Sequence, residues 1–169
     1  MEARYPSESQ TILTDLVLTG ETNSLNNLFG GELLARMDRA AGIAAGRHSR
    51  RIVVTASVNH VAFNKAIPLG SVVTVEAKVS RAFTSSMEVA IDVWIEDRQS
   101  GDKMKANEAI YTFVAMNENG NPVPVPPIQP QTELEKERYD AALRRKQLSL
   151  VLAGKMKPDD ATELKALFI

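Results

Sequence analysis

The hydrophobic pattern of this chain changes its period, and that change limits the folds open to it. From Gly31 to Ala45 the apolar residues recur at helical spacing, whereas residues 73–80 and 87–96 alternate apolar and polar side chains. Three more segments have strand composition: 11–19, 52–63 and 105–115. One strand, one long helix and four consecutive strands predict an α+β fold in which a mostly antiparallel sheet wraps the helix.

A glycine pair marks the start of this helix. Gly30 and Gly31 let the backbone pass close to a ligand, and the first N–H groups of a helix have no partner within it. Those donors lie at the positive end of the helix dipole. The helix start therefore suits an oxygen atom that gains negative charge during a reaction.

A carboxylate follows two turns into the same helix. A wheel drawn at about 100° per residue places Glu32, Arg36 and Arg39 on one stripe. Asp38 falls about 120° away, beside three apolar residues: Leu34, Ala41 and Ala45. The wheel predicts that Asp38 points toward the core, where an acid needs either a structural partner or a chemical role. Both interpretations stay open at this point.

The distance between the two features has a consequence for assembly. Gly31 and Asp38 are seven residues apart, about 10 Å along a helix axis, so one helix cannot present both groups to one carbonyl. Two copies packed antiparallel could do so, each supplying its helix start to the other's Asp38. We expect an obligate dimer with shared sites.

Composition excludes several classes of function. The 169 residues are 44% hydrophobic, enough for a real core, and contain no cysteine, so disulfides and thiol chemistry are excluded. The net charge of -1 argues against a nucleic-acid partner. No signal sequence or membrane-length apolar run is visible, which favours a cytoplasmic protein without a membrane partner. Histidines and carboxylates are not grouped at ligand spacing, and we expect no metal.

The C-terminal part has a different character. Five prolines between 122 and 130 predict an extended linker, so the main domain is expected to span 1–126 and the linker and helical tail 127–169. A capping box at Thr132–Glu135 predicts a surface helix to Leu150. A shorter helix is expected from Pro158 to Phe168, with a docked apolar end made of Leu164, Leu167, Phe168 and Ile169.

Six short strings occur in one order along residues 10–126 and carry a family resemblance. They are the glycine-opened helix with Met37-Asp38, Thr55-Ala56-Ser57-Val58, Val61-Ala62-Phe63, Ile67-Pro68-Leu69-Gly70, Thr84-Ser85-Ser86-Met87-Glu88 and Thr112-Phe113-Val114-Ala115. Together they resemble the hotdog-fold acyl-CoA thioesterases, in the branch of the brain-type and YciA-type acyl-CoA hydrolases.

The resemblance implies a fold, an activity and an assembly. It implies a sheet of five or six strands around the central helix, dimers joined edge to edge, and often a trimer of dimers. The implied reaction is hydrolysis of acyl-CoA to free CoA and a fatty acid, with CoA as part of the substrate and no other cofactor. Asp38 matches the catalytic carboxylate, and Asn27 matches an asparagine that holds water or substrate. Phe29 stands where many members have His, so the N–H groups of Gly30 and Gly31 must polarise the carbonyl.

The resemblance also implies where CoA lies. Two strand segments would line the pantetheine arm: Asn59, His60 and Val61 on one strand, and Thr84, Ser85 and Ser86 on another. Arg81 is a candidate for the CoA phosphates. His48 is expected to cap the end of the central helix.

Three alternatives bear on this hypothesis. Asp38 could act as general base on water or as a nucleophile, and sequence does not separate the two. A hotdog hydratase is disfavoured because residues 27–38 contain no histidine. A non-catalytic acyl-CoA or nucleotide-binding regulatory protein is the alternative outside enzymes, and it predicts stabilisation by CoA without release of a thiol.

Overall fold

A computed structural model describes all 169 residues. The strands are β1 (Thr11–Leu16), β2 (Ile52–Asn59), β3 (Val72–Ala82), β4 (Ser86–Glu96) and β5 (Lys103–Met116). The helices are α1 (Pro6–Ser9), α2 (Gly30–Ser49), α3 (Glu133–Leu152) and α4 (Thr162–Lys165), with short 3-10 turns at Thr19–Glu21 and Pro158–Asp160.

The five strands form one antiparallel sheet in the order β1-β3-β4-β5-β2. Alternation decides which face is covered: Met87, Val89, Ile91 and Val93 of β4 are at most 1% exposed. The sheet wraps α2, which contacts all five strands. This confirms the predicted α+β class and the wrapped central helix.

The covered face of α2 is unusually smooth. Leu33 and Met37 are followed by four fully buried alanines, Ala40, Ala41, Ala44 and Ala45. Small side chains allow the helix axis to come close to the strands, and a Cβ on Gly42 would lie 3.5 Å from the ring of Phe113 on β5. The helix therefore packs close to the strands along its alanine-rich part.

The ends of α2 differ from the prediction. The helix continues through Gly46 to Ser49 and stops at Arg50, which takes a left-handed φ of 57° and donates its N–H to the Gly46 carbonyl. The predicted stop at Ala45 is wrong, because a glycine near a basic cluster is tolerated inside the helix. His48 is not an end cap, since its Nε2 donates to the Pro126 carbonyl instead.

Helix α3 lies on the outer face of the sheet and is held there by charge. Its arginines meet strand carboxylates, with Arg138 2.9 Å from Asp92 and Arg145 3.0 Å from Glu88, and Lys78 of β3 is 3.6 Å from Glu135. The guanidinium of Arg81 stacks on Tyr139 at 3.9 Å. The predicted surface helix therefore exists, and it is tied to the sheet by paired ions.

The proline-rich segment packs against the main domain. Val125 and Ile128 are both 4% exposed and belong to the core, and Arg4 pairs with Ile128. The domain division at residue 126 stays a prediction, but the residues around it are not a free linker. The predicted docking of the C-terminus is wrong, because Leu167, Phe168 and Ile169 are 59%, 81% and 99% exposed. None of the helices has both the length and the apolar character that crossing a bilayer requires.

Candidate active site

The first turn of α2 offers two free backbone donors. The N–H groups of Glu32 and Leu33 both bond to the Phe29 carbonyl, at 2.9 and 3.2 Å. The N–H groups of Gly30 and Gly31 have no acceptor in the chain. Phe29 precedes the helix in an extended conformation, with φ -64° and ψ 135°. The N–H groups of a first helical turn point along the axis beyond the N-terminus, so both free donors face the space in front of α2.

Two aromatic rings cover these glycines. A Cβ on Gly31 would lie 3.1 Å from the ring of Phe29, and one on Gly30 would lie 3.5 Å from the ring of Phe63. Both rings are more than half exposed. The donors are therefore bordered by an apolar rim that a ligand can reach.

Asp38 lies at the flank of α2 rather than in the core. Its side chain is half-buried, and the hydroxyl of Thr55 on β2 donates to its Oδ1 at 2.7 Å. The wheel prediction of a core-facing acid is therefore wrong. The donated hydrogen bond fixes where the Asp38 carboxylate points, toward β2 at the edge of the sheet.

Arg36 takes the place in the interior that the wheel gave to Asp38. It is 6% exposed and donates from Nη2 to the Leu16 carbonyl at 2.8 Å and to the Glu21 carboxylate at 3.0 Å. The Glu21 carboxylate also accepts the N–H of Leu18 at 2.9 Å. The bond from Leu18, and next the one from Arg36, lower the pKa of Glu21. The helical wheel placed Arg36 on a polar stripe because its partners, Leu16 and Glu21, are distant from it in the sequence.

A β-bulge aims Thr55 at Asp38. The pairing of β2 with β5 runs Thr55 opposite Phe113 and then Ser57 opposite Thr112, which leaves Ala56 without a partner. Such an extra residue turns the strand and redirects side chains. Thr55 contacts Asp38 through this bulge, and although it belongs to a motif quoted from the sequence, no role for it was predicted there.

Tyr111 of β5 lies beneath the same part of α2. It is 1% exposed, and its hydroxyl donates to the Leu34 carbonyl at 2.9 Å. Burial, and next the negative charge of Asp38, raise the pKa of Tyr111 to about 12. The hydroxyl therefore stays a neutral donor at physiological pH. The strand pattern of residues 105–115 carries no signal of this contact.

The loop before α2 places two asparagines near the helix start. Asn27 pairs with Pro68 through its backbone, and its side chain makes no hydrogen bond. Asn23 accepts the N–H groups of Leu25 and Asn27 on its Oδ1, at 3.0 and 3.2 Å. The side-chain amide of Asn23 is therefore oriented with its NH₂ group free to donate.

The segments predicted to line the CoA arm are apart in one chain. Asn59 pairs with Ile110 on β5, whereas Ser86 pairs with Val114. Four residues of strand separate these points by about 13 Å. The carbonyls of Thr84 and Ser85 accept from the N–H groups of Val125 and Ala115, respectively. Both bonds lie at the end of the sheet that is next to the C-terminal end of α2.

His60 and Arg81, both predicted to contact CoA, lie in different surroundings. His60 and Val61 leave β2 toward the glycine end of α2, and His60 is exposed with a left-handed φ of 56°. Arg81 is engaged by Tyr139, whose carbonyl accepts from its Nη1 at 3.0 Å. In the isolated chain Arg81 is therefore part of the α3 contact rather than a free phosphate ligand.

Strand β2 is an open edge beside Asp38. All of its residues except Val53 are exposed, including Ile52, Val54 and Val58. Exposed apolar edges of this kind pair with other strands. The Asp38–Thr55 bond is thus located where a second chain could join the sheet. No group of three side chains capable of holding a metal occurs in the chain.

Comparison with known proteins identifies relatives over most of the chain. A sequence profile described as the thioesterase superfamily matches residues 25–101. A Bacillus subtilis (strain 168) protein, named as the uncharacterized acyl-CoA thioester hydrolase YkhA, is 42% identical over 85% of this chain and 84% of its own length.

Solved structures give the same result. A structure of an apo-hexameric acyl-CoA thioesterase superposes with a TM-score of 0.86 at 37% identity, covering 90% of this chain and 98% of that one. An acyl-CoA hydrolase from Staphylococcus aureus, in complex with butyryl coenzyme A, coenzyme A and coenzyme A disulfide, gives 0.85 at 33% identity over 99% of both chains. The chain therefore belongs to the thioesterase superfamily, as a hotdog-fold member of its acyl-CoA thioester hydrolases.

Proposed function

We propose that Asp38 of one copy and the free N–H groups at the start of α2 of a second copy together cleave the thioester of acyl-CoA. Hydrolysis of acyl-CoA is the activity of this family member, since relatives with that name match most of the chain. The observation that carries the mechanism is the 2.7 Å bond between Asp38 and Thr55 on an unpaired edge strand.

The chemistry needs a polarised carbonyl and a directed water. The thioester oxygen accepts from the N–H groups of Gly30 and Gly31, which stabilise it as it becomes an oxyanion. Asp38 takes a proton from water while the water oxygen bonds to the acyl carbon. The C–S bond then breaks, and the CoA thiolate receives the proton. Direct attack by Asp38, through an anhydride, stays open as the alternative.

Two copies are required by distance. Gly31 and Asp38 are about 10 Å apart along α2, too far to act on one carbonyl within one chain. Two β2 strands related by a two-fold axis would pair antiparallel, which brings the glycine end of one α2 toward the Asp38 of the other. Hexameric relatives are among the solved structures, so a homo-oligomer, and within it a trimer of dimers, is the assembly that we propose.

The same symmetry would reunite the two segments predicted to line CoA. Antiparallel pairing brings the end of β2 in one copy, with Asn59, His60 and Val61, toward the start of β2 in the other. Thr84, Ser85 and Ser86 lie at that second end. We propose that the pantetheine arm runs in the groove between these segments of two different copies.

Variants of the Staphylococcus aureus enzyme support the choice of residues. Structures of that enzyme, 34% identical to this chain, carry alanine in place of an aspartate, a threonine and an asparagine. By their numbering the aspartate comes 17 residues before the threonine and 15 after the asparagine. Positions 38 and 55 of this chain are also 17 apart, and positions 23 and 38 are 15 apart.

This spacing selects Asn23 rather than Asn27 as the asparagine of the site. Its free NH₂ group supports the choice, because its Oδ1 is already held by the loop. We propose that Asn23 donates to the substrate or to the attacking water. Asn27 would then serve through its backbone, which accepts from the Asn23 N–H at 2.9 Å.

Thiol release from acyl-CoA tests the role of Asp38. Asp38→Ala should lower kcat at least a hundredfold with little change in KM, because a general base typically contributes 100- to 10,000-fold. Glu32→Gln is the matched control, an acid on the same helix whose loss should leave kcat unchanged. Wild-type turnover by Asp38→Ala would remove the assignment, and stabilisation by CoA without any thiol release by the wild type would favour the regulatory binder.

The backbone donors are tested by proline. Gly30 follows an extended Phe29 and occupies the first helical position, where proline fits and removes only an N–H that is free. Gly30→Pro should lower kcat by about 100- to 1,000-fold, whereas Gly30→Ala keeps the donor and should stay active. Full activity in both Gly30→Pro and Gly31→Pro would show that these donors are not used.

The lack of a cofactor and the cytoplasmic location remain predictions. No cofactor besides the CoA of the substrate is required by the proposed chemistry, because the acid and the donors belong to the chain. A cytoplasmic location is supported by rat, mouse and human relatives named cytosolic acyl coenzyme A thioester hydrolase, of which this chain spans 37%.

A further inference from the structure

The position of Asp38 depends on how α2 lies against the sheet. Its carboxylate has one side-chain partner, Thr55, in a bond open to solvent. Neither side chain is held by deep burial, so the distance between them follows from the spacing of the α2 and β2 backbones. The side-chain bonds that Arg36 and Arg47 of α2 make to the sheet reach β1 at the opposite edge, and the buried alanines make no hydrogen bond from their side chains.

Tyr111 makes the one hydrogen bond between α2 and the three central strands β3, β4 and β5. Its acceptor, the Leu34 carbonyl, is four residues before Asp38 and is therefore also the helical acceptor of the Asp38 N–H. The hydroxyl thus binds the very turn that carries the acid. Tyr111 is paired with Val58 on β2, three residues after Thr55, so it connects the two strands and the helix.

A second contact lies on the other side of Asp38. Gly42, four residues after the acid, faces the ring of Phe113, where an added Cβ would lie 3.5 Å away. Phe113 is itself the ladder partner of Thr55. Asp38 is therefore centred between one polar and one steric contact of α2 with β5.

We propose that Tyr111 is a positioning residue for the hydrolysis. Its bond to the Leu34 carbonyl fixes the position of α2 relative to β5 and so holds Asp38 within hydrogen-bond distance of Thr55. This inference rests on the proposed role of Asp38. At 1% exposure, Tyr111 offers no surface to a substrate, so its role is indirect. Its hydroxyl proton is used by the carbonyl, and the raised pKa keeps it there across the working range of pH.

Removing the hydroxyl tests the inference. Tyr111→Phe keeps the ring that fills the core and deletes only the donor. We expect kcat to fall about tenfold, since displacements of an ångström in a catalytic group can cost up to about a hundredfold, while KM stays within about twofold. Incorporation of 4-aminophenylalanine at position 111 restores a donor at the same point and should recover most of the lost kcat.

A structural loss alone is excluded by two measurements. Val79→Ala, in a fully buried position of β3 away from the site, is the control that loses thermal stability through a core cavity, and it should keep wild-type kcat below its Tm. In a Thr55→Val background, where the acid has already lost its partner, Tyr111→Phe should cost less than about twofold more.

Position 42 gives an independent test if Tyr111→Phe does not fold. Gly42→Ala adds a Cβ at ordinary contact distance and should keep full activity. Gly42→Val adds methyl groups toward Phe113 and should lower kcat with KM unchanged, because it lifts the same segment of α2.

The outcomes separate the two proposals. If Asp38→Ala is inactive but Tyr111→Phe keeps wild-type kcat, or loses it without recovery by 4-aminophenylalanine, the positioning role is overturned and the catalytic role of Asp38 stands. If Asp38→Ala retains wild-type turnover, the proposed mechanism itself fails, whatever Tyr111 does.

Discussion

The two edge strands of the sheet are treated in opposite ways by the same helix. Toward β1, α2 extends donors: Arg36 binds the Leu16 carbonyl and Arg47 binds the carbonyl of Gln10 and the hydroxyl of Thr11. Toward β2 it presents an acceptor, Asp38, which holds a single hydroxyl. Both strands expose apolar side chains, so hydrophobicity does not distinguish them.

The difference bears on which edge carries the proposed site. Guanidinium groups fasten β1 to the helix. At β2 the helix contributes the carboxylate of Asp38, which we propose as the reactive group. We infer that β1 is the structural edge and β2 the edge at which a second copy joins and completes the site.

Introducing charge at the β2 edge should have the largest effect on assembly and activity. Val54 and Val58 of β2 are both 43% exposed. The double variant Val54→Arg/Val58→Arg should be monomeric by light scattering and at least about a hundredfold less active, because buried valines contribute about 1.5–3 kcal/mol each and like charges would face each other across the axis.

The matched control lies on the other edge. Ile12 and Leu16 of β1 are 53% and 43% exposed, and Ile12→Arg/Leu16→Arg should leave the dimer and its activity in place. Loss of the dimer in the β1 variant with an intact dimer in the β2 variant would reverse the assignment of the edges.

The fastening role of Arg36 predicts an effect on stability without one on chemistry. Arg36→Met leaves the Glu21 carboxylate and the Leu16 carbonyl without their donor, and the free energy of unfolding in urea should fall by about 2 kcal/mol. Activity per folded molecule should be unchanged. Asp38→Asn should show the reverse, with stability kept and turnover lost, and equal behaviour of the two variants would erase the contrast.

A smaller effect concerns His48, at the C-terminal end of α2. Burial lowers the pKa of this imidazole, and the nearby Arg4 adds to that effect, while the Pro126 carbonyl and Glu8 oppose it. The folded state thus binds the proton more weakly than the unfolded chain. Stability should be complete above the ordinary histidine pKa and fall as pH drops below it, toward pH 5.

Thermal unfolding between pH 7.5 and 5 measures this dependence. The Tm of His48→Met should vary less with pH in that range. The variant lacks the buried, unpartnered Nδ1, whose protonation destabilises the folded state. An unchanged slope in the variant would place the pH dependence elsewhere in the chain.

The sheet and its helix could be predicted because their signals are local. Alternation in β3 and β4 defines strands with one covered face, and the glycine pair defines the start of α2 with its free N–H groups. Strand ends were displaced by a few residues, since a pattern such as Ile52–Phe63 continues beyond the last ladder pair at Asn59.

The details of the site could not be predicted because its bonds link distant parts of the chain. Arg36 is buried by Glu21 and Leu16, and Asp38 is drawn to the flank by Thr55 across a bulge that no residue pattern announced. A helical wheel sorts residues by polarity and cannot see these partners. The docking of the C-terminal residues was predicted wrongly for a related reason. Their apolar character does not reveal whether the fold offers a surface that could bury them.

Mixing two inactive variants tests most directly whether the site is shared between copies. One parent carries Asp38→Ala and the other Gly30→Pro, and the two are combined in equal amounts by co-refolding. The account predicts recovery of roughly a quarter of the wild-type rate, because half of the dimers formed at random are mixed and each of these has one intact site of two. A rate no higher than the average of the two parents would contradict it, since that is the result expected when each chain holds a complete site of its own.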